Sequence, residues 1–376
     1  MKVVLYTHNF PPRLGGMATL HRQYAEALAG AGRQVSVHVF GAAAEQAAAS
    51  CRSPYSFPVR YHRRLSQFLF RPERADLYWF SFGEPLALKC WLCNLVSLLR
   101  RPYVVFAGGR ILLHSHSGAR ARARQAVVMR ILRQARGILA DGEDIRRELA
   151  AAGVDEKRIA VVYSGVDVGR FSPQATPERF AARLAEGGLS LPPPPRLLFL
   201  GRVAEENGPR QFLSVLRGLS QCSGIVLGDG PLLPDIREEA TSLGDRVLVA
   251  GRIEHELLPS ALSAGDLCVF PLGSLHGGIP LSVMEAMAAG RACVAYEVGD
   301  LARLIMDGRN GRLVAAGDLP ALMGAARALL SDGALRARLA RRAAETVSAD
   351  WTLARAQARF VAHVERWAAP GPECEF

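Results

Sequence analysis

The chain has 376 residues, which is long for one hydrophobic core and sufficient for two domains. Its 46 Lys and Arg outnumber its 35 Asp and Glu, giving a net charge of +11. Basic–aromatic interleaving and zinc-finger spacing are both missing from the sequence, which excludes the common nucleic-acid-binding classes. Although 49% of the residues are hydrophobic, no run approaches the ~20 apolar residues that would span a bilayer.

The N-terminal run and the cysteines indicate a cytoplasmic protein. Val3–Tyr6 is too short for the hydrophobic region of a secretory signal. The seven cysteines are odd in number, and those in apolar surroundings, such as Cys268 and Cys293, are predicted to be reduced core residues. Cys90 and Cys93 form a C-x-x-C pair, but no second pair follows, so core packing is our interpretation here as well.

Arginines are concentrated in two stretches of the first half, Arg60–Arg74 and Arg110–Arg136. A basic stretch of this kind is either solvated surface or a contact for an anionic membrane or substrate. The first stretch also carries Phe68–Phe70, a combination suited to a membrane interface. Two interpretations therefore stay open: an arginine-rich solvated face, and peripheral contact with the inner face of an anionic membrane.

The first half begins with a strand, a glycine loop, a helix and a second strand. The strands are predicted at Val3–Tyr6 and Val35–Phe40, with the loop at His8–Gly16 and apolar residues at helical spacing over 17–28. This order is typical of the phosphate-binding half of a Rossmann-like domain, but G-x-G-x-x-G is missing, so a nicotinamide cofactor is not favoured. The pair Gly15–Gly16 either makes a tight turn or lets backbone approach a diphosphate.

The rest of the first half continues the alternation and ends in a proline-rich segment. Further strands are predicted at Leu77–Phe80, Tyr103–Phe106, Gly137–Ala140 and Ile159–Val162. His114 and His116 have no other ligands at metal spacing, so we assign them a loop or helix-cap role. Pro177–Glu186 is predicted as an amphipathic helix, and Pro192–Pro195 as a stiff spacer that marks the domain boundary.

The second half alternates strands and helices regularly, which predicts a parallel sheet covered on both faces and an α/β fold. Its strands are predicted at Arg196–Leu200, Gly224–Leu227, Val247–Val249, Leu267–Phe270 and Ala292–Glu297. Its helices are predicted near Pro209–Leu219, Leu233–Leu243, Leu257–Ala264 and Leu281–Ala289, with a helical tail from Ser331 and a last amphipathic segment from Trp351 to about Trp367. Ligands bind at the carboxyl ends of strands in such sheets, and several of these strands end in glycine.

The stretch Leu275–Gly290 combines glycines, a proline and one charge in an apolar helix. Pro280 is predicted at the first helical position, where it loses only an orphan N–H. The free N–H groups at such a helix start can hold phosphate. Glu285 needs a partner because a buried unpaired charge is costly. Ribose hydroxyls are one candidate partner, and an arginine in a purely structural helix is the other.

Six short motifs occur in order along nearly the whole chain, and together they are far more specific than any one alone. They are Phe10–Gly16, Tyr163–Pro173, Leu198–Gly208, Gly228–Pro231, Gly277–Gly290 and Asp307–Val314. This set resembles the retaining nucleotide-sugar glycosyltransferases of the GT-B fold, specifically glycosyltransferase family four. The resemblance implies two Rossmann-like domains facing across a cleft. It divides the chain into an acceptor domain at 1–173, a linker at 174–195, a nucleotide-sugar domain at 196–346 and a helix at 347–376 that crosses back.

The resemblance also assigns roles to residues. Arg202 is expected to neutralise the leaving phosphate and Glu285 to hold the ribose, and we name these two as catalytic. Further donor-binding residues implied by the motifs are Gly15, Gly16, Asn207, Gly228, Arg252, Ile253, Gly277, Gly278, Ile279, Pro280, Leu281 and Ser282. Among them, Arg252 and Ile253 match the loop that contacts the base.

Three positions depart from the family pattern. Gly277 stands where the family has a glutamate that touches donor-sugar hydroxyls, and Asn207 where it has a lysine beside the phosphates. Ala107–Gly108, or Gly108–Gly109, replaces a histidine-glycine pair. One positive charge is therefore missing at the leaving group, and Arg210 or an arginine of the first domain is the candidate substitute.

The function implied is transfer of a hexose, with retention, from a uridine-based nucleotide-diphosphate sugar to a hydroxyl of a cell-envelope glycan or lipopolysaccharide. No metal or other cofactor is expected. One alternative is a degenerate family member that binds nucleotide sugar or a partner without turnover. Others are an aminoglycoside-type natural-product glycosyltransferase, and a sugar phosphorylase or pseudo-glycosidic synthase of the same fold.

Overall fold

The computed structural model describes residues 1–12, 16–40, 55–62, 73–82, 96, 101–108, 119–273 and 278–369. The chain forms two compact units. The first comprises Met1–Ser164, His276–Gly278 and Arg355–Phe376, and the second comprises Gly165–Leu275 and Ile279–Ala354. Residues 174–195, the expected linker, belong to the second unit in this division.

The first unit is built on a parallel sheet whose described strands have the order β3-β2-β1-β4-β5-β6-β7. The strands are β1 Lys2–Thr7, β2 Gln34–Phe40, β3 Val59–His62, β4 Leu77–Phe82, β5 Tyr103–Ala107, β6 Gly137–Ala140 and β7 Ile159–Val161. The helices between them are α1 Gly16–Gly30, α2 Ala119–Gln134 and α3 Glu143–Ala151. The strand order reverses between β1 and β4, which is where ligands bind in such sheets.

The second unit repeats this plan with the strand order β10-β9-β8-β11-β12-β13, which reverses between β8 and β11. Its strands are β8 Arg196–Leu200, β9 Ser223–Leu227, β10 Val247–Gly251, β11 Leu267–Phe270, β12 Ala292–Glu297 and β13 Arg312–Ala315. Its helices are α4 Glu178–Glu186, α5 Pro209–Gly218, α6 Leu233–Thr241, α7 Leu258–Ser263, α8 Leu281–Ala288, α9 Leu319–Ser331 and α10 Gly333–Asp350. The last helix, α11, spans Leu353–Ala368.

Both faces of each sheet are covered, as a fully parallel sheet requires. In β1, Val3 and Leu5 are buried in one apolar cluster with residues of α1 and α11. Val4 and Tyr6, which point the other way, are buried in a second cluster with residues of α2 and α3. Nearly continuous apolar runs are therefore the sequence signal of these strands.

The sequence pattern did not predict two edge strands, β3 and β13. Neither β3 (VRYH) nor β13 (RLVA) contains a fully buried residue. An edge strand has one neighbour and a solvated side, so it needs no long apolar run. In the part of the chain that is described, no helix is long and apolar enough to cross a bilayer.

The last helix completes the core of the first unit. The Phe360 ring stacks on Tyr24 of α1, with ring centroids 4.1 Å apart and planes 7° from parallel. The Trp367 indole lies directly on Gly137 of β6, so close that a Cβ at that glycine would be 2.0 Å from a ring atom. Arg33 adds an ion pair, with its Nη2 2.6 Å from Oε1 of Glu365.

We expect Gly137→Ala to loosen the last helix, because the added methyl group overlaps the Trp367 indole. Overpacking of this kind costs about 1–3 kcal/mol of unfolding free energy. Gly30→Ala is the matched control in the same unit, since a Cβ there meets nothing within 4 Å. Urea unfolding of both variants is the measurement. Equal stability of the two would contradict this account of the Trp367 contact.

Candidate functional site

Backbone hydrogen bonds join the loops after β8, β9, β10 and β11 at one edge of the second sheet. Gly228 N donates to Gly251 O at 2.8 Å, and Gly201 N donates to Leu227 O at 3.1 Å. Gly273 N donates to the carbonyl of Glu206 at 2.9 Å. Because all these strands are parallel, their carboxyl ends meet here, on both sides of the β8/β11 reversal. This edge is the position at which doubly wound α/β sheets bind ligands.

Two glycines allow these loops to approach one another closely. Gly228 has φ +143°, and a Cβ there would lie 1.8 Å from the Gly201 carbonyl oxygen. Gly208 has φ +66°, and a Cβ there would lie 2.0 Å from the Pro271 carbonyl oxygen. The structure therefore gives Gly228 a packing role, and its contact with a donor stays a prediction.

Arg202 lies on the loop after β8 with two-thirds of its side chain (67%) exposed, and its Nη1 is 3.9 Å from Oε1 of Glu206. An exposed pair at this distance leaves the guanidinium accessible to a ligand. Asn207 Nδ2 donates a hydrogen bond to the Arg202 carbonyl oxygen at 2.7 Å. Asn207, at the position where the resemblance implies a lysine, thus stabilises the backbone of the loop that carries Arg202.

Arg210 is not a convincing substitute for the missing positive charge. Its guanidinium contacts three carboxylates, Glu205 at 3.1 Å, Asp235 at 2.7 Å and Glu239 at 2.8 Å. The hydrogen bond to Glu239, together with the other two carboxylates, raises the pKa of Arg210. The ion pairs of Arg210 link α5 to α6. Because three carboxylates neutralise its guanidinium, Arg210 attracts a phosphate only weakly.

Helix α8 begins at Leu281, as the predicted range Leu281–Ala289 has it, but the prediction that Pro280 is its first helical residue is wrong. Pro280 is its N-cap, with φ −59° and ψ 131°, and Leu281 is the first helical residue. The N–H groups of Leu281 and Ser282 have no acceptor within the helix, as at every helix start. Gly278, just before, has φ +68°, a conformation that favours glycine. Ile279 is buried, whereas Gly277 lies outside the described residues.

Glu285 lies one turn into α8 and is 12% exposed. Among the described residues its partner is a histidine, not the arginine that we considered: His255 Nε2 is 3.3 Å from Glu285 Oε1. His255 belongs to the loop after β10, which also contains the predicted base-contacting residues Arg252 and Ile253. The structure therefore brings Glu285 and this loop together.

Sequence reasoning missed His255 and its neighbour Arg170. The Arg170 Nη1 hydrogen-bonds to His255 Nδ1. The only signals available were the position of His255 three residues after Arg252 and the place of Arg170 in the motif Tyr163–Pro173. Neither signal indicates that the two side chains meet.

In the first unit, a buried histidine holds the loop that follows β1. His21 Nδ1 lies 2.8 Å from the Asn9 carbonyl oxygen and 3.1 Å from Thr7 Oγ1. The His21 ring is fully buried, with Trp79 and Phe106 edge-on to it. Residues 7–9 are thereby fixed just before the glycine loop.

Two glycines of the first unit, Gly16 and Gly108, lie at the start of α1 or beside it. Gly16 is the first residue of α1, and Gly15 lies outside the described residues. Gly108 follows β5, where a Cβ would lie 3.3 Å from the Met17 methyl group. A histidine at position 108 would therefore crowd α1, whereas Gly109 is not among the described residues.

A second polar cluster surrounds Glu73 at the edge of the first sheet. Lys2 Nζ lies 2.8 Å from its Oε1, and His38 Nε2 lies 2.9 Å from its Oε2. Arg60 also pairs with this carboxylate, and His62 Nε2 lies 3.1 Å from His38 Nδ1. Arg60 belongs to the basic stretch with the predicted membrane contact, most of which lies outside the described residues.

Burial and the neighbouring charges shift the pKa values of two groups in this cluster. Burial lowers the pKa of His38, although its hydrogen bond to Glu73 opposes this shift. Burial of Glu73 opposes ionisation, but hydrogen bonds from Lys2 and His38, with the charge of Arg60, outweigh it and lower the pKa of Glu73 to about 2. Within the described residues, no group of three His, Cys, Asp or Glu side chains is arranged to hold a metal ion.

The fold and the edge loops place the chain among the doubly wound α/β proteins with two sheets. Residues 15–165 match the family described as glycosyl transferase 4-like domain, and residues 194–332 match glycosyl transferases group 1. The chain belongs to the group 1 glycosyl transferases, with the GT-B fold.

Curated relatives agree with this family, and a solved structure shares the fold. The chain is 34% identical over 168 residues to an alpha-D-kanosaminyltransferase of Streptomyces kanamyceticus, covering 43% of each chain. It is 29% identical to a phosphatidyl-myo-inositol mannosyltransferase of Mycolicibacterium smegmatis, covering 91% of this chain and 88% of that protein. The structure of HepE from Anabaena in complex with UDP superposes with TM-score 0.77 and 17% identity, covering 97% of this chain and 100% of that one.

We expect Glu73→Gln to destabilise the protein in a pH-dependent way. The folded pKa of about 2 lies below the ordinary 4.5, so ionised Glu73 stabilises the fold above pH 4.5, and this stabilisation is lost as the pH falls toward 2. Allowing for partial exposure, the variant should lose about 1–3 kcal/mol of unfolding free energy at pH 7. The difference from the parent protein should shrink below pH 4.5.

Denaturant unfolding at several pH values measures this difference. Glu186→Gln is the control, because Glu186 is 69% exposed and pairs only loosely with Arg183 at 3.4 Å. A Glu73→Gln difference that stays constant from pH 7 to pH 3 would show that the ion cluster is not its source.

Proposed function

We propose that the chain transfers a hexosyl group from a nucleotide-diphosphate sugar, uridine-based, to a hydroxyl acceptor with retention of configuration. One observation carries the proposal. Glu285 is the one charged residue of α8, nearly buried, one turn from an N-terminus that follows the loop after β11. A carboxylate at that depth is suited to accept hydrogen bonds from ribose hydroxyls.

The diphosphate of the donor is assigned to the start of α8. The N–H groups of Leu281 and Ser282 and the positive end of the helix dipole favour an anion there. Arg202, exposed on the loop after β8, adds the positive charge.

The proposed chemistry needs no protein nucleophile. The bond between the anomeric carbon and the diphosphate oxygen breaks, and the acceptor oxygen bonds to the same face of that carbon. The acceptor's hydroxyl proton passes to the departing diphosphate. The protein then has to position the two substrates and stabilise the developing diphosphate charge, which is the role of Arg202 and the α8 amides.

Two relatives illustrate the acceptor classes that remain. A 2-deoxystreptamine glucosyltransferase of Streptomyces kanamyceticus, 29% identical over 320 residues, favours an aminocyclitol acceptor. The kanosaminyltransferase, together with Gly277 in place of glutamate, favours a donor with an altered hydroxyl pattern. The phosphatidyl-myo-inositol mannosyltransferase favours a lipid or envelope acceptor, which would agree with peripheral membrane contact. Transfer assays with an aminocyclitol and with a phosphoinositide, each against a panel of nucleotide sugars, distinguish the two classes.

A binder without turnover is the second candidate, because both Gly277 and Asn207 depart from the catalytic pattern. The Asn207 hydrogen bond to the Arg202 backbone weakens this candidate, since the substitution has a structural use. Slow hydrolysis of a nucleotide sugar by the purified chain would support the hypothesis of an active glycosyltransferase. Tight nucleotide binding with no hydrolysis and no transfer would support the hypothesis of binding without turnover.

Arg202→Ala is expected to lower turnover by ~10²-fold with little change in stability, because the lost charge acts on the leaving group. Arg341→Ala is the matched control. Its partner Glu345 is also four residues on, at 3.8 Å against 3.9 Å for Arg202 and Glu206, and the two arginines are similarly exposed at 69% and 67%. Steady-state kinetics and melting curves are the measurements. Unchanged turnover with a lower melting temperature would reduce Arg202 to a structural residue.

Glu285→Ala is expected to weaken nucleotide binding by about 1.5–3 kcal/mol, the range for a hydrogen bond to a charged group. Calorimetry with uridine diphosphate measures the loss, and circular dichroism checks that the variant is folded. Glu345→Ala, which removes an exposed carboxylate from α10, should leave the affinity unchanged. A folded Glu285→Ala variant with full affinity would rule out the ribose assignment.

A further inference from the structure

His255 is held between a cation and a carboxylate. Its Nε2 lies 3.3 Å from Glu285 Oε1, and its Nδ1 accepts a hydrogen bond from Arg170 Nη1. The three side chains come from three separate segments of the second unit: the loop after β7, the loop after β10, and α8. The ring is about half exposed, at 47%, whereas the carboxylate that it contacts is nearly buried.

The two contacts determine the tautomer of His255. A guanidinium carries only donors, so Nδ1 facing Arg170 has to be the unprotonated nitrogen. The ring proton is then on Nε2, which points at a carboxylate that can only accept. Arg170 therefore fixes the tautomer of His255, whose Nε2–H points toward Glu285.

The segment that supplies Arg170 is rigid. Asp167 Oδ1 accepts hydrogen bonds from the backbone N–H of Gly169 at 3.0 Å and of Arg170 at 3.2 Å. Phe171 is 2% exposed, and its ring meets the His255 ring edge-on, with centroids 5.5 Å apart. A histidine in a surface loop is thus fixed by a turn and by a buried aromatic ring.

We propose that His255 is a positioning residue for the donor: it anchors one oxygen of Glu285 so that the other faces the ribose, and Arg170 sets the tautomer this requires. The proposal rests on the proposed function, since it assumes that Glu285 receives the ribose. Without His255, the carboxylate is free to rotate about its last torsion and loses a preorganised orientation. His255 itself touches no reacting atom.

The test begins with His255→Phe, which keeps a ring beside Phe171 and removes both hydrogen bonds. We expect the dissociation constant for uridine diphosphate and the donor KM to rise ~10-fold, with kcat within about twofold. His255→Gln, whose amide can both accept from Arg170 and donate to Glu285, should restore most of the affinity. His363→Phe, another half-buried histidine beside an aromatic ring, is the control without effect.

A double-mutant cycle separates positioning from loop packing. In a Glu285→Ala background, His255→Phe should no longer change the dissociation constant, because there is no carboxylate left to orient. An equal effect in both backgrounds, or a lower melting temperature that accounts for the loss, would overturn the proposal.

Nitrogen-15 NMR of the histidine rings supplies a readout that does not depend on a donor. We expect His255 to show a protonated Nε2 and a bare Nδ1, and Arg170→Met to weaken that preference without reversing it, because Glu285 still accepts from Nε2. A protonated Nδ1 in the parent protein would overturn the proposal. If the parent protein binds no uridine nucleotide at all, the proposed function fails. The nitrogen-15 spectrum of the His255 ring still determines its tautomer in that case.

Discussion

Parallel pairing of every described strand is the constraint on which the rest of the structure depends. Lateral hydrogen bonds use up the backbone polar groups, and helices cover both faces, so the strands consist largely of apolar side chains. Polar side chains buried in the first unit, such as His21 and His38, are hydrogen-bonded there. In each unit the order of strands reverses once, at β1/β4 and at β8/β11, and in the second unit the glycine loops meet at this reversal.

Arg210 and Glu285 of the second unit differ in their surroundings, and this difference gives Arg210 a structural role and leaves Glu285 available to a ligand. Arg210 is surrounded by Glu205, Asp235 and Glu239, and its charge is already more than balanced. Glu285, in contrast, contacts His255, which donates one hydrogen bond to Oε1. The second oxygen of the carboxylate keeps its capacity to accept hydrogen bonds, which a ligand can use.

Most of the central strands and helices were predictable, because apolar runs such as Leu267–Phe270 and glycines after strand ends are strong local signals. The fold class followed from their alternation, and the positions of Arg202 and Glu285 followed from motifs. Contacts between distant segments were not predictable. Sequence has no means of showing that His255 meets Glu285 or that Arg210 is occupied by three carboxylates, because those contacts depend on side-chain directions set by tertiary packing.

The position of the last helix has a consequence for the order of biosynthesis. The described strands of the first sheet lie within residues 2–161, but Phe360 and Trp367, which close one face of its core, are made about 200 residues later. At ribosomal rates of about 5–20 residues per second, that face stays uncovered on the nascent chain for roughly 10–40 s. Every residue of the second unit has been synthesised by then. The sequence of the second unit is therefore complete before that of the first, and the first unit can close this face of its core only after Trp367 has been added.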